Sequence, residues 1–322
     1  MNFNPVDYQL TIRRIMIYAS GMVGWSILIN VISVMLIYFY MPPKNSGLIP
    51  LIPQLTYLKI FSVLALIVAG GRLFDAVTDP LIAWKSDRST FKRGRRIPFM
   101  RVGWIPAFVF CLAVFLPINH LVSKENTIFL IFNLTMFYLF LTLYFIPYNA
   151  LMPELAPGGR DKIRLSTWLS LAYVLGIIFA AQTPLLADLV RNWFQIQQRI
   201  YSFQIAIGIL CLLAGIFLMV PVLFINEREW CKGEPARLPF KQSLMQTLSN
   251  FNFRLFLFAD FSYFMAVALI ASGMLYYLRV LLNLREAMSS SVFGLMIVVS
   301  ILLAWSRRPT TWPKRPKPAM IT

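Results

Sequence analysis

Arg72, Asp75 and Asp79 stand inside an otherwise apolar run, GGRLFDAVTDPLIAW. At about 100° per residue they fall at about 0°, 300° and 340° around a helix, on one narrow face. An Asp or Arg at the centre of a spanning helix costs on the order of 2.5–3.5 kcal/mol, so such a face turns into a bundle or a watery cavity and marks a functional site by default. Two carboxylates against one guanidinium leave about one negative charge, which attracts a cation. Hard ions such as Na+ take oxygen ligands, and a proton shared between crowded carboxylates suits the same place. The alternative is a buried Arg–Asp–Asp network that only ties helices together.

The next segment is KSDRSTFKRGRRIPFM. Asp87 beside Arg88, followed by Gly94, Arg95 and Arg96, places a carboxylate at a helix end with arginines a short turn later. That order permits an inter-helix ion pair that opens and closes, which a merely topogenic basic loop does not need. Further along, TLYFIPYNALMPELAP carries Pro147 and Pro153, each of which removes a rung of the helical ladder and frees a carbonyl. Thr142 offers a hydroxyl about one turn before Pro147. A broken helix lining a binding site and a kink made for packing both fit this pattern. Asp260 either serves a site, snorkels or pairs with Arg254. Tyr18, Trp25, Tyr138, Tyr144, Tyr148, Trp168 and Tyr173 can stack on a sugar ring or anchor at an interface.

Composition defines the elements that must hold these groups. The chain has 322 residues, 58% hydrophobic and only 13% charged, against about 25% charged in soluble domains. Its mean hydropathy is +0.68. So few charges cannot make a water-facing surface, and 27 phenylalanines exclude a disordered chain. The remaining class is an all-α, polytopic membrane protein. The net charge of +17 is ordinary where Lys and Arg gather in cytoplasmic loops, and without a basic helix or an RNA-binding signature no nucleic-acid partner is expected. Cys111, Cys211 and Cys231 lack metal-ligand spacing, and His120 stands alone. No resident metal or cofactor is therefore expected, and without a nucleophile–base pattern the chain does not read as an enzyme.

Eight segments are long and apolar enough to span a bilayer: about 15–40, 55–84, 99–119, 127–150, 165–187, 201–225, 255–281 and 290–305. The loops on one side, with the N-terminus, hold 17 Lys and Arg, and those on the other hold 7. The positive-inside rule then puts both termini in the cytoplasm, in a bacterial inner membrane. The first apolar run is too long for a cleavable signal, so no signal peptide is expected. These spans divide into a six-helix bundle (1–225), a polar cytoplasmic linker (226–252), two further helices (253–305) and a basic, Pro-rich tail (306–322).

The pattern R-x-x-D-A-x-x-D-P over Arg72–Pro80, then Ser86-Asp87-Arg88 and Gly94-Arg95-Arg96-Ile97-Pro98, resembles the glycoside–pentoside–hexuronide:cation symporter family, the melibiose-permease-like branch of the major facilitator superfamily. Tyr18 to Gly24, Ile146-Pro147-Tyr148 and the stretch from Arg160 to Leu165 support the likeness, which extends to about residue 300. The resemblance implies a major-facilitator-like fold of twelve helices and Na+-, Li+- or H+-driven symport of a small solute, most often a sugar or glycoside. It implies cation ligands at Asp75 and Asp79, with Thr142 as a further candidate; the residues themselves suggest an orienting ion pair from Arg72 and a cytoplasmic gate at Asp87, Arg88, Gly94, Arg95 and Arg96. Sugar-binding members are expected to carry an acidic residue where this chain has Ser26, another where it has Phe145, and an aromatic ring where it has Asn149. Ser26 and Asn149 are thus the candidate solute contacts, and the family's lipid transporters make a lipid-type solute a second possibility. Only two helices of a second bundle precede Ser306. The expectation is a chain truncated or frameshifted after its eighth helix, unable to perform coupled uptake alone; the competing reading is an inactive remnant or a non-transporting membrane interaction protein.

Overall fold

A computed structural model describes residues 10–42, 48–53, 56–57, 61–91, 94–231, 239–276 and 299. They divide into two compact units, Met1–Phe240 and Lys241–Thr322. The first contains α1 (Ile12–Tyr40), β1 (Thr56–Tyr57), β2 (Phe61–Ser62), α2 (Val63–Asp87), α3 (Ile97–Val114), α4 (Lys124–Leu155), α5 (Gly159–Ala181), α6 (Thr183–Phe194), α7 (Arg199–Phe224) and the single turn α8 (Glu227–Trp230). The helix α9 (Phe240–Ser249) crosses the boundary, and α10 (Phe251–Tyr276) belongs to the second unit. Among the described residues, α1, α3, α4, α5 and α7 are long and apolar enough to cross a membrane. The expected span at 290–305 and the tail at 306–322 lie outside the described residues, save Val299.

Two spans differ in their boundaries from the apolar runs. The second span begins as a short antiparallel ladder, with Thr56 opposite Ser62 and Tyr57 opposite Phe61, and turns helical only at Val63. The fifth span is two helices. Pro184 has no N–H for the Ala180 carbonyl and its ring would clash there, so the helix ends and restarts. Thr183 Oγ1 donates to that carbonyl at 2.6 Å and takes over the lost bond. Conversely, α4 runs unbroken through Pro147 and Pro153. Of the two readings of these prolines, the broken helix is therefore set aside: α4 is continuous and forgoes a hydrogen bond at each proline, with the neighbouring turns and packed helices holding it together.

In the first unit the main helix contacts run in the order α5, α1, α7, α3, α4, α2. Small residues permit the tightest approaches. A Cβ at Gly24 would lie 2.6 Å from the Ala214 carbonyl oxygen of α7, and one at Gly103 would lie 2.8 Å from that of Phe140 in α4. With lipid as apolar as the core, such close packing replaces the hydrophobic effect as the force between helices.

The six long helices alternate between two ends. At one end Arg14 lies 4.8 Å over the Trp230 ring, joining the start of α1 to the chain after α7. Arg164 at the start of α5 donates to the Leu10 carbonyl there, at 3.3 Å. At the other end Tyr40 donates to the Val114 carbonyl at 2.5 Å, and Gln204 to that of Phe115 at 3.0 Å. Buried Asn126 at that end donates to Leu51 and Asn119 carbonyls at 3.0 and 2.8 Å, tying two loops to the first turn of α4. Ser123 caps that turn by accepting from the Asn126 N–H at 3.0 Å. In the second unit Asn250 Oδ1 accepts from the Phe253 N–H at 3.3 Å, at the start of α10.

Candidate functional site

Two contacts set the register between α2 and α4. A Cβ on Gly71 would lie 3.2 Å from the Tyr138 ring. About four turns later, Arg96 bridges Asp87 Oδ1 at 3.0 Å and Glu154 Oε1 at 3.0 Å. Both pairs ascend together, so the helices are parallel, with the same offset at each point. Interpolation puts Asp75 level with Thr142 and Asp79 level with Ile146. Gly71, Ile82 and Ser86 are the buried residues of the α2 face that carries Asp75, and Asp79 sits at its rim. Both aspartates are half-buried. One oxygen of each, Oδ1, is removed from solvent, and both carboxylates take part in further polar interactions. The backbone of Arg72 lies in α2, and its side chain lies outside the described residues.

On α4, Thr142, Phe145 and Asn149 repeat the same three–four spacing and so form one stripe. Thr142 and Phe145 are half-buried and Asn149 is exposed. Pro147 withholds the donor that the Leu143 carbonyl would otherwise receive, which leaves that oxygen without its helical partner one residue on from Thr142. Trp25 of α1 stacks on Phe145 with centroids 4.0 Å apart and planes 7° apart, and Tyr173 of α5 tilts against Trp25 at 5.9 Å. Behind them Tyr18 and Tyr148 stack at 4.3 Å, each hydroxyl donating to the other's carbonyl at 2.7 and 2.6 Å. This reciprocal pair fixes α1 against α4 and satisfies two buried hydroxyls.

Ser26 is fully buried. Its hydroxyl donates to the Tyr173 carbonyl at 2.6 Å and accepts from Asn30 Nδ2 at 3.2 Å. Gly176 admits it, since a Cβ there would come within 2.5 Å of the Ser26 oxygen. Ser26 is thus engaged in the α1–α5 seam, whereas Asn149 is open to approach.

At the end of the bundle reached by α2 and α4, the arginines of the GRR run are paired. Arg95 binds Glu154 Oε1 at 2.7 Å. Arg96, besides bridging Asp87 and Glu154, donates to the Ala150 carbonyl. Their backbone meets a third carboxylate: Glu227 Oε1 accepts from the Arg95 N–H at 2.9 Å, and Oε2 accepts from Arg96 at 2.9 Å and Ile97 at 3.1 Å. The side chain of Glu227 therefore caps α3, where orphan N–H groups and the helix dipole both favour an anion. Gly94 makes room for it. Its φ is +116°, and a Cβ there would sit 2.7 Å from Glu227 Cβ and Cδ. Asp87, Gly94, Arg95 and Arg96 are thus brought together. Arg88 is not among them, since its guanidinium, just past the end of α2, lies 5.0 Å over Trp84 of that helix. Glu154 and Glu227, the acidic half of this latch, carry no signal in the sequence alone. Glu154 stands in the motif TLYFIPYNALMPELAP and Glu227 in the linker, and no local pattern links either to Gly94. Cys231 lies beside them, and burial, reinforced by Glu154 and Glu227, pushes its thiol up to about 12. In the second unit, Arg254 lies 5.9 Å over the Phe251 ring, while Asp260 is half-buried.

Comparison with known proteins bears on this architecture. Over 128 residues the chain is 34% identical to an uncharacterized symporter, sll1374, of Synechocystis sp. (strain ATCC 27184 / PCC 6803 / Kazusa), covering 35% of this chain and 23% of the relative. Over 216 residues it is 24% identical to the inner membrane symporter YicJ of Escherichia coli (strain K12), covering 67% of this chain and 46% of the relative. The chain thus spans less than half the length of these curated relatives. The family described as MFS/sugar transport protein matches residues 17–309. A match over most of the chain, on a bundle of long apolar helices, makes this a multi-pass membrane protein of a transporter family rather than an enzyme: it belongs to the MFS/sugar transport protein family.

Proposed function

We propose that the protein is a cation-coupled symporter of a small solute, with Na+, Li+ or H+ bound by Asp75 and Asp79 of α2 and Thr142 of α4. The observation that supports this reading is the parallel pairing of α2 with α4, whose interpolated register brings the Asp75 and Asp79 carboxylates to the level of the Thr142 hydroxyl and of the Leu143 carbonyl that Pro147 leaves without a donor. All are oxygen donors, as a hard monovalent cation requires. The relatives named above as symporters support the same reading. Arg72 orients the carboxylates. The bound cation offsets their charge, so the loaded site passes through a dry, closed state more readily than the vacant one. Solute and cation are coupled because each stabilises the same conformations as one bundle rocks against the other. The solute is a sugar or glycoside, approached by the exposed Asn149 and by Tyr173, the exposed ring at the edge of the Trp25–Phe145 stack. The Asp87–Arg95–Arg96–Glu154 latch is the gate on the cytoplasmic side of the inner membrane.

The test is solute uptake by Asp75→Asn and Asp79→Asn in Na+, Li+ and choline buffers across a pH series. Each variant should lose cation dependence while inserting normally, because a neutral amide removes a charged ligand yet makes the helix cheaper to place in lipid. Wild-type cation dependence in both variants would show the face to be structural and the symport mechanism wrong.

A further inference from the structure

At the latch end of the first unit, a groove of about 520 Å³ opens beside the bundle, a volume within the usual range for small-ligand sites. Phe91, Phe99, Val102 and Leu143 line it, and Lys85 and Arg101 are the charged residues at its walls. Among the described residues, none that lines it is acidic. Leu143 lies 12 residues before Leu155 at the end of α4, or about 18 Å along the helix from that end. The groove therefore starts at the level of the basic loop and runs down into apolar depth. Lys85 and Arg101 are both exposed, and the nearby carboxylates of Asp87 and Glu154 are occupied by Arg96 and Arg95. Phe91 and Val102, 57% and 59% exposed, leave an unfilled apolar wall.

We infer that this groove binds one anionic glycerophospholipid of the adjoining leaflet. The headgroup phosphate lies between Lys85 and Arg101, and an acyl chain lies along Phe99, Val102 and Leu143. The charge is complementary: two cations without an acidic neighbour in the lining meet a phosphate diester and a second headgroup anion or hydroxyl, at the depth where headgroups sit. Length is complementary as well, since the apolar wall continues inward where an acyl chain must go. The assignment is independent of the cation site, because its two cations, Lys85 and Arg101, belong neither to that site nor to the latch.

The experiment is native mass spectrometry of the purified 322-residue chain released from detergent containing phosphatidylglycerol and phosphatidylcholine in equal amounts. The wild type should retain one phosphatidylglycerol preferentially. Preference should fall roughly fivefold in Lys85→Gln or Arg101→Gln and roughly thirtyfold in the double variant, from about 1 kcal/mol per cation near an anionic headgroup. Lys85→Arg should retain it, and matching thermal midpoints in lipid-free detergent would show that each variant folds. Soluble glycerol 3-phosphate should fail to displace the lipid, since it lacks the chain that fills the apolar wall. Equal retention of the two lipids, undiminished preference in a folded double variant, full displacement by glycerol 3-phosphate, or occupation of the groove by a second copy of the chain would each overturn the assignment.

Discussion

Gly94 shows at the residue scale why a short motif can be visible while its purpose is hidden. The run Gly94-Arg95-Arg96 stands out by charge and glycine alone. Its requirement for glycine arises from Glu227, 133 positions later, whose side chain occupies the space a Cβ would take. Only the folded chain brings the two together, and no spacing rule reaches so far. Gly94→Ala would force a methyl into a left-handed backbone position and against Glu227, at a cost of about 1–3 kcal/mol. We expect a lower thermal midpoint and faster alkylation of Cys231, which follows Glu227 by one helical turn. In the wild type that thiol should react slowly at pH 8, since burial holds its proton to about 12 against an ordinary 9.0. The folded state therefore binds this proton more tightly than the unfolded one. The stabilisation is whole below about pH 9 and fades as pH climbs towards 12. Maleimide labelling rates between pH 7 and 10 check both statements. A rapid wild-type reaction at pH 8 would contradict the buried environment.

At the scale of elements, apolar length alone locates α1 and α7 to within three residues and α3 and α4 to within five, because spanning helices are defined by thickness and hydropathy. It fails where chemistry other than apolarity decides. Pro184 divides the fifth span, and the short ladder delays the second, yet both segments remain apolar. The α2 face is legible as a charged stripe, whereas its register with α4 depends on Gly71 against Tyr138, a contact between distant segments. The cap of α3 by Glu227 belongs to this scale too, since one side chain satisfies the N–H groups of Arg95, Arg96 and Ile97. Glu227→Ala should destabilise the first unit by about 1–3 kcal/mol, and Glu227→Gln, which keeps one acceptor oxygen, by less. Hydrogen exchange reads this directly: the three amides should be protected in the wild type, partly protected in the glutamine variant and fast in the alanine variant. Equal protection in all three would mean that the cap contributes nothing.

For the whole molecule, sidedness follows from charge once the two ends are known. The latch, the starts of α1 and α5, and the chain after α7 share one end through the contacts of Arg96, Arg164 and Arg14. The loops tied by Tyr40, Asn126 and Gln204 share the other. The first end carries the basic majority, so the latch end should face the cytoplasm. Its basic residues also interact with one another's partners, so the same side chains that hold the bundle closed there help to orient it. Single cysteines at Thr90, beside the latch, and at Val122, beside Asn126, separate the alternatives in a Cys231→Ser background; both positions are exposed. A membrane-impermeant maleimide applied to intact cells should label the Val122 cysteine and reach the Thr90 cysteine only after the membrane is opened. The reverse pattern would overturn the orientation and leave the alternation of ends standing. Labelling of both from outside would overturn the alternation itself, because it would require α3 to begin and end on one side, against the hydrogen bonds that hold its start to Glu227 and its end to Tyr40.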